Sequence, residues 1–107
     1  MATFKVPGYD KPLQTDGIIW IQGDGNYSRI HYTDGKSFLV SQTLKWFEDR
    51  LIPFIRIHKS MLINPNHLAN FNEKYKPFTV QLSNGLELSV SRRRIQNIRT
   101  GLLVTES

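Results

Sequence analysis

The sequence predicts a mainly β fold made of antiparallel hairpins with one or two short helices. Short runs of β-branched and aromatic residues alternate with glycine-containing turns along most of the chain. The clearest signal lies near the C-terminus, where apolar residues alternate over 78–82 and 86–90 on either side of Asn84-Gly85, the preferred residue pair of a type I′ hairpin turn. At 107 residues the chain is long enough for one hydrophobic core and too short for two ordinary domains.

Residues 1–16 are expected to form an N-terminal arm or leading loop. Pro7, Gly8 and Pro12 stand among scattered polar residues, and the segment shows no clear hydrophobic period. We assign this arm no function, and we expect the domain itself to span residues 17–107.

The first half of the domain predicts a three-stranded antiparallel meander. Residues 18–21 form a short β-branched and aromatic run, and the turn-forming residues 23–26 follow it. Residues 27–32 read as the second strand, and Asp34-Gly35 turns the chain into a third strand at 37–40. Two hairpins in succession therefore place these strands side by side.

A short helix is predicted over residues 41–51. Apolar residues recur at i, i+3 and i+7 starting from Leu44, which places them on one helical face. Pro53 prevents the helix from continuing, and Ser41 or Thr43 can cap its start.

Two further apolar segments follow this helix. Residues 54–57 and 61–63 read as strands, separated by the polar and basic pair Lys59-Ser60, and residues 64–66 form a turn. Lys59 thus projects from the tip of a loop.

A second short helix is predicted after the C-terminal hairpin. Ser91 stands at the cap position, and Ile95, Ile98 and Leu102 form the stripe that we expect to be buried. Gly101 is expected near the end of this helix.

Positive charge is clustered along the chain. Fourteen Lys and Arg against nine Asp and Glu give a net charge of +5, and no acidic residue occurs between Asp49 and Glu73 or between Glu87 and Glu106. The second stretch contains Arg92-Arg93-Arg94 at the start of the predicted helix, where the positive end of the macrodipole disfavours cations. A phosphate would use both the arginines and the free backbone N–H groups, so the cluster fits a nucleic-acid contact. A solvated basic face is the alternative interpretation.

Nothing in the sequence indicates catalysis, metal binding or a cofactor. The chain has no cysteine, and His31, His58 and His67 have no ligand-like spacing. It contains no carboxylate pair, nucleophile elbow or glycine-rich phosphate loop. Ser60 or Ser91 could be paired with His58 as nucleophile and base, yet no residue orients them. We therefore expect neither an enzyme nor a cofactor.

The sequence also predicts a cytoplasmic protein without membrane insertion. No apolar run approaches the roughly 20 residues that a membrane-spanning helix needs. The first residues lack the apolar core of a secretory signal.

A set of short motifs is distributed between about Gly17 and Thr100. The most specific stretch is 54–64, where a Phe-x-Arg-x-His-x-Ser pattern is followed by Asn64. Supporting stretches occur at 18–21, 25–28, 43–44, 82–85 and 90–93. In the order and spacing of these motifs the chain resembles the LytTR family of bacterial DNA-binding domains. The resemblance implies an elongated fold of three small antiparallel sheets with short helices, which binds duplex DNA through loops that enter successive major grooves.

The resemblance also implies a set of contact residues. By position, the base contacts correspond to Tyr27, Lys59 and Arg93. Arg93 can offer a bidentate fork to guanine, and Lys59 a single donor to a base acceptor or a phosphate. The residues implied as phosphate-contacting or supporting are Asn26, Ser28, Arg29, Ser60, Arg92 and Arg94. Arg56 and His58 look like framework residues that tie the loop to the sheet.

The sequence leaves two properties undecided, namely how the protein is regulated and whether it forms dimers on DNA. Many LytTR domains follow a phosphorylatable receiver domain in a response regulator, whereas sixteen residues precede Gly17 here. We expect no regulation by phosphorylation within this chain, which is either a stand-alone transcription regulator or a domain of a longer protein. LytTR sites are often direct repeats in promoters, so a dimer on DNA and separate binding to each repeat are both open.

Two other functions compete with the reading of DNA. The basic face could dock an acidic protein partner, and salt dependence together with sequence discrimination would separate this function from DNA binding. Binding of single-stranded RNA on stacked aromatic side chains has less support, since an exposed-aromatic pattern is not evident beyond Tyr27 and Tyr32.

Overall fold

The computed structural model describes residues 3–106 and confirms a mainly β architecture with two α-helices. The strands are β1 (Thr3–Phe4), β2 (Leu13–Gln14), β3 (Ile18–Asp24), β4 (Tyr27–Tyr32), β5 (Ser37–Val40), β6 (Ile55–His58), β7 (Met61–Ile63), β8 (Leu68–Asn72), β9 (Thr79–Leu82) and β10 (Glu87–Ser89). The helices are α1 (Leu44–Arg50) and α2 (Ile95–Glu106), and short 3-10 turns cover Thr15–Gly17, Pro65–His67 and Arg92–Arg94.

The strands form three small antiparallel sheets, as the resemblance implied. The largest sheet has five strands in the order β5-β4-β3-β7-β6, and it contains the predicted meander of β3, β4 and β5. A second sheet has the order β10-β9-β8, and β1 pairs with β2 alone. The molecule is elongated, with extents of 43, 30 and 24 Å along its principal axes.

The N-terminal segment differs from the arm or leading loop that we expected. Thr3–Phe4 pairs with Leu13–Gln14, and the side chains of Val6 and Leu13 are buried in a core shared with α1. These apolar side chains are spaced irregularly around turns and prolines, so the segment showed no period in the sequence. The domain boundary at residue 17 stays a prediction.

One hydrophobic core lies between the five-stranded sheet and α1. Ile21 and Ile30 pack there against Leu44 and the fully buried Phe47. The Thr43 hydroxyl caps the helix by accepting a hydrogen bond from the amide of the residue three positions on, at 3.2 Å. The helix predicted over residues 41–51 is confirmed, and it begins three residues later than the predicted range.

The other core lies between the five-stranded sheet, the three-stranded sheet and α2. Ile98 of α2 is fully buried there, while Ile95 and Leu102 pack against this core from its edge. Gly101 does not end the helix, which continues to Glu106. A Cβ at Gly101 would lie only 2.5 Å from Ile55 Cδ1, so the glycine lets α2 approach β6 closely.

The C-terminal hairpin is confirmed, but its turn is not the predicted type I′. Gly85 has a φ of 88°, whereas none of the described residues other than glycine has a positive φ, so Asn84 lacks the left-handed conformation that type I′ requires. The Gly85 amide donates to the Leu82 carbonyl at 2.9 Å, and the Leu82 amide donates to the Leu86 carbonyl at 2.8 Å. This is a three-residue loop in which a tight turn is followed by a left-handed glycine. The Asn84 side chain stabilises it by accepting the Leu86 amide at 3.0 Å.

Candidate nucleic-acid interface

One end of the five-stranded sheet gathers the turns that carry the candidate residues. β3 and β7 run antiparallel with Gln22 opposite Met61, so the turn after β3 and the turn before β7 lie at the same end. The Gly23 amide donates to the Ser60 carbonyl at 2.8 Å, which joins these two turns directly.

Two more segments reach the same end. Val40, the last residue of β5, pairs with Ser28, which brings the start of α1 to this end. The Ser91 amide donates to the Ile57 carbonyl at 2.8 Å and holds the Arg92–Arg94 turn beside β6. We call the surface formed by residues 24–29, 43–45, 58–61 and 91–94 the loop end.

Asn26, Tyr27 and Arg29 are exposed where β3 turns into β4. Gly25 forms the turn with a φ of 62°, and Tyr27 is 51% exposed, which is a large fraction for an aromatic residue. Arg29 lies on the same face of β4, and its Nη1 donates to the Ser37 hydroxyl at 3.4 Å. Strand alternation therefore presents Tyr27 and Arg29 together to solvent.

Ser28 points in the opposite direction and is completely buried. Its hydroxyl donates to the Gln42 carbonyl at 2.8 Å, which ties β4 to the segment before α1. A side chain without exposed surface is inaccessible to a phosphate. Of the two roles predicted for Ser28, contact with phosphate is therefore incompatible with this geometry, and the supporting role is compatible with it.

Lys59 stands exposed at the tip of the turn between β6 and β7. The Ser60 amide donates to His58 Nδ1 at 3.3 Å, and the Ser60 hydroxyl lies 3.1 Å from the same nitrogen. The register between β6 and β7 also shifts between Arg56 and His58, which bends the chain just before Lys59. Lys59 is thus presented to solvent from an ordered turn.

Arg56 holds this turn from behind. Its Nε donates to the His58 carbonyl at 3.0 Å, its Nη2 donates to the Lys59 carbonyl, and its Nη1 meets Glu48 Oε1 at 2.8 Å. The predicted framework role of Arg56 and His58 is confirmed by these contacts. Burial, and then the charge of Arg56, lowers the pKa of the Arg94 guanidinium, while Glu48 acts in the opposite direction.

The three consecutive arginines form a 3-10 turn directly before α2, not the first turn of the α-helix itself. The Arg94 amide donates to the Ser91 carbonyl at 2.9 Å, and the Ser91 side chain makes no capping hydrogen bond. Arg92 and Arg93 are exposed, whereas Arg94 is half-buried. Two of the three guanidinium groups are therefore available to a ligand at the positive end of α2.

A profile of the family described as the LytTr DNA-binding domain matches residues 10–102 of this chain. The chain belongs to the LytTR family. The resemblance in the sequence is thereby confirmed, and so is DNA as the partner of a domain of this family. LytTR domains are DNA-binding domains of transcriptional regulators.

Two curated regulators are similar to this LytTR domain over most of its length. The CO-responsive transcriptional regulator RcoM of Rhodospirillum rubrum is 30% identical over 95 residues, which cover 85% of this chain and 39% of RcoM. The transcriptional regulatory protein LytR of Staphylococcus aureus is 30% identical over 93 residues, which cover 84% of this chain and 37% of LytR. The chain thus spans about two fifths of the length of these relatives.

A solved structure has the same fold. It is described as the LytTr DNA-binding domain of a putative methyl-accepting/DNA response regulator from Bacillus cereus. The two chains superpose with a TM-score of 0.76 at 21% identity, and the match covers 94% of each.

Three exposed cations at the loop end of this LytTR domain take part in no intramolecular ion pair with a described side chain. No carboxylate of residues 3–102 lies within ion-pair distance of Lys59, Arg92 or Arg93. Lys45, by contrast, meets Asp49 at 2.9 Å. The loop end therefore offers cations that are not neutralised within the domain.

A shallow groove connects two of the candidate segments. Gly25 and Lys59 line the same depression of about 310 Å³, and the start of α1 at Thr43 forms its other wall. The turn that carries Tyr27 and the turn that carries Lys59 thus belong to one continuous surface.

Each histidine of the LytTR domain has a structural partner. His31 stacks on Trp20 with ring centroids 4.4 Å apart, and burial together with the nearby Arg29 lowers its pKa. The His67 Nε2 donates to the Asp16 carbonyl at 2.8 Å.

Among the described residues, no group of His, Cys, Asp and Glu side chains is arranged to hold a metal ion. No helix within residues 3–106 is long and apolar enough to cross a membrane.

Sequence reasoning did not identify Glu48 as part of the site. The ion pair between Glu48 and Arg56 joins α1 to β6, and no local spacing in the sequence relates the two positions. The one available signal was that Glu48 is an acid between two basic stretches, which is too weak to assign a partner.

Proposed function

We propose that this domain reads duplex DNA sequence-specifically as part of a bacterial transcriptional regulator acting in the cytoplasm. Tyr27, Lys59 and Arg93 would contact base edges, with their loops inserted into successive major grooves. The observation that supports this proposal is that these three side chains are exposed at one end of one sheet although they come from three distant segments.

The chemistry of the three side chains suits different base edges. The Arg93 guanidinium can donate two parallel hydrogen bonds to the acceptors of a guanine, which is worth about 1–3 kcal/mol of discrimination. The Lys59 ammonium donates to a single acceptor, and the Tyr27 ring and hydroxyl combine an apolar surface with one polar group. Arg93 is therefore expected to contribute most of the base discrimination.

The neighbouring polar residues would bind the phosphate backbone and set the register. Asn26, Arg29 and Arg92 are exposed beside the base-contact candidates. Ser60 and Arg94 are half-buried, and the backbone amide of each donates a hydrogen bond within the loop end. We therefore assign them supporting roles, with contacts to the DNA backbone from their exposed atoms. Contacts of this kind position a protein on DNA without reading its sequence.

A selection from random duplex DNA tests this proposal. We expect the wild-type domain to enrich a short motif and Arg93→Ala to relax that motif at the positions that Arg93 contacts. Lys36→Ala serves as the matched control, because Lys36 lies in the turn between β4 and β5 at the opposite end of the sheet. Equal binding of all duplexes by the wild-type domain would contradict sequence-specific reading.

The competing function is a protein-interaction module that docks an acidic partner on the same unpaired cations. Both functions predict binding that weakens with salt, but only DNA reading predicts that the loss of Arg93 removes sequence discrimination. Titration of the domain with an acidic peptide and with duplex DNA at matched charge separates them. Preference for the peptide would favour the protein partner.

We further propose that promoter sites for this domain are direct repeats, each bound by one copy. A duplex with one repeat should then bind one domain and a duplex with two repeats should bind two, as measured by sedimentation. Dimers that form without DNA would contradict independent binding of each repeat.

A further inference from the structure

The loop between β8 and β9 is a second exposed basic element, outside the loop end. Its residues Lys74, Tyr75 and Lys76 are consecutive and exposed, and Tyr75 is 74% exposed. This is a large value for an aromatic residue, and neither the core nor the three-stranded sheet uses the ring. The packing of the domain does not account for this Lys-Tyr-Lys sequence.

The loop is held in one shape by the side chain of Asn72. Its Nδ2 donates to the Tyr75 carbonyl at 3.1 Å and to the Pro77 carbonyl at 3.4 Å, and its Oδ1 accepts the Tyr75 amide at 3.5 Å. These hydrogen bonds order the backbone under Tyr75. The side chains of Lys74 and Lys76 are therefore presented from an ordered loop, which lowers the entropic cost of binding a ligand.

The one acid of this loop is already paired. Glu73 Oε1 accepts hydrogen bonds from Arg99 Nη2 at 2.9 Å and Nε at 3.2 Å. Within the described part of the chain, no carboxylate lies within ion-pair distance of Lys74 or Lys76. The loop thus presents positive charge that is not compensated locally.

The loop leaves the three-stranded sheet at the same end as the Arg92–Arg94 turn. Thr79 pairs with Ser89, and the Val90 amide donates to the Phe78 carbonyl at 2.8 Å. The strands β9 and β10 are paired up to this hydrogen bond. Two basic segments, residues 73–77 and the Arg92–Arg94 turn, therefore leave the three-stranded sheet at the same end.

We propose that the loop of Lys74, Tyr75 and Lys76 is a fourth DNA-binding element, which contacts backbone phosphates beside the base pairs that Arg93 reads. This inference rests on the proposed function and extends it to a longer stretch of duplex. Lysine is a point donor suited to a single phosphate, and the Tyr75 hydroxyl can donate to another. The loop contributes affinity and register, and it does not read bases.

The test compares Lys74→Gln/Lys76→Gln with wild type. Lys11→Gln/Lys36→Gln is the matched control, because it removes the same charge from two exposed lysines that line a pocket at the opposite end of the sheet. Binding to a duplex is measured as a function of salt concentration, and thermal unfolding verifies that each variant is folded. We expect a loss of affinity on the order of tenfold and a salt slope smaller by about 0.9 for each phosphate that the variant no longer neutralises, with an unchanged selected motif.

A second arm uses duplexes trimmed on one side of the motif. The side facing Arg93 is identified as the side on which Arg93→Ala relaxes the base preference. Trimming the flank on this side should lower wild-type affinity to that of Lys74→Gln/Lys76→Gln, and trimming the other flank should not remove the difference between the two proteins. Equal salt slopes for wild type and Lys74→Gln/Lys76→Gln, or an equal loss in the control variant, would overturn the proposal.

The failure of this inference is distinguishable from the failure of the proposed function. If the wild type binds duplex DNA without sequence preference, the proposed sequence reading fails, and the salt slopes still decide whether the loop contacts phosphates. If the wild type binds no duplex at all, both are overturned.

Discussion

At the residue scale, Arg56 links two parts of the site, the turn between β6 and β7 and the helix α1. A single guanidinium contacts the carbonyls of His58 and Lys59 and the carboxylate of Glu48, which lie on the turn and on α1. The planar arrangement of several N–H donors makes this possible, and a lysine ammonium in the same place has no equivalent geometry. Arg56 therefore positions the turn of Lys59 from behind, where its guanidinium is bonded to the turn and to α1.

We expect Arg56→Lys to keep the charge and lose this geometry. The free energy of unfolding should fall by about 1.5–3 kcal/mol, because hydrogen bonds to a half-buried charged group are removed. The base preference at the positions read by Lys59 should relax as well. Urea unfolding and duplex selection measure the two effects, with Arg50→Lys as a control in an exposed arginine of α1. An unchanged motif would show that the Lys59 turn does not depend on Arg56.

The pKa of His31 predicts a dependence of stability on pH. Burial, and then Arg29, lowers this pKa below the ordinary 6.5, so the folded protein binds fewer protons than the unfolded chain just below that pH. The contribution of His31 to the free energy of unfolding is therefore fully present above the pKa of the unfolded chain. This contribution decreases as the pH falls from the unfolded pKa through the lowered pKa of the folded protein. His31→Gln should show a smaller loss of unfolding free energy between about pH 7.5 and about pH 5.5 than the wild type. Identical losses in both proteins would contradict the assignment.

At the element scale, the strongly periodic segments could be predicted from the sequence. The meander, α1 and the C-terminal hairpin each combine an apolar period with a turn or cap residue. β8 was not predicted, because its register shifts between Leu68 and Asn70. That bulge places Leu68 and Phe71, three positions apart, opposite Leu82 and Val80 on one face, which conceals the two-residue period of a strand.

The turn type in the last hairpin could not be predicted for a related reason. Asn84-Gly85 is compatible with a two-residue loop and with a three-residue loop, and the choice depends on which residues of β9 and β10 pair. The pairing of Gln81 with Glu87 selects the longer loop here. Strand register is a property of the whole sheet and its packing, not of the dipeptide.

The packing of α2 on β6 gives an element-scale prediction. Gly101→Ala should improve the intrinsic helix propensity by about 1 kcal/mol. It should nevertheless destabilise the domain by a net amount of about 1–2 kcal/mol, because the new Cβ would overlap the Ile55 side chain. Thermal and urea unfolding measure the change, and Gly101→Ala combined with Ile55→Ala should be less destabilising than the sum of the two. Stabilisation by Gly101→Ala alone would contradict the close contact.

At the scale of the whole molecule, the strand topology brings the candidate residues together at the loop end. Residues 24–29, 58–61 and 91–94 are far apart in the sequence, and the antiparallel order of the strands brings them to one end. The sequence indicated basic and turn-forming residues in each segment, and the resemblance to the LytTR family indicated which of them to expect at the DNA. Neither showed that Ser28 is buried or that Glu48 ties Arg56 to α1, since both depend on packing between distant elements.

The two cores explain how one small domain presents several loops rigidly. α1 covers one side of the five-stranded sheet, while α2 and the three-stranded sheet cover the other, so the central strands are packed on both sides. The turns that leave these strands are therefore anchored on well-packed strands. Side chains held in this way lose little additional entropy when they bind.

The most direct test of the account is the base preference of three single variants, measured by the same duplex selection. Tyr27→Ala, Lys59→Ala and Arg93→Ala should each relax a different group of positions, spaced along the motif in the order in which the turns lie along the loop end. The wild type should enrich the complete motif. If the three variants relax the same positions, or if none changes the motif, base reading by these three loops would be contradicted.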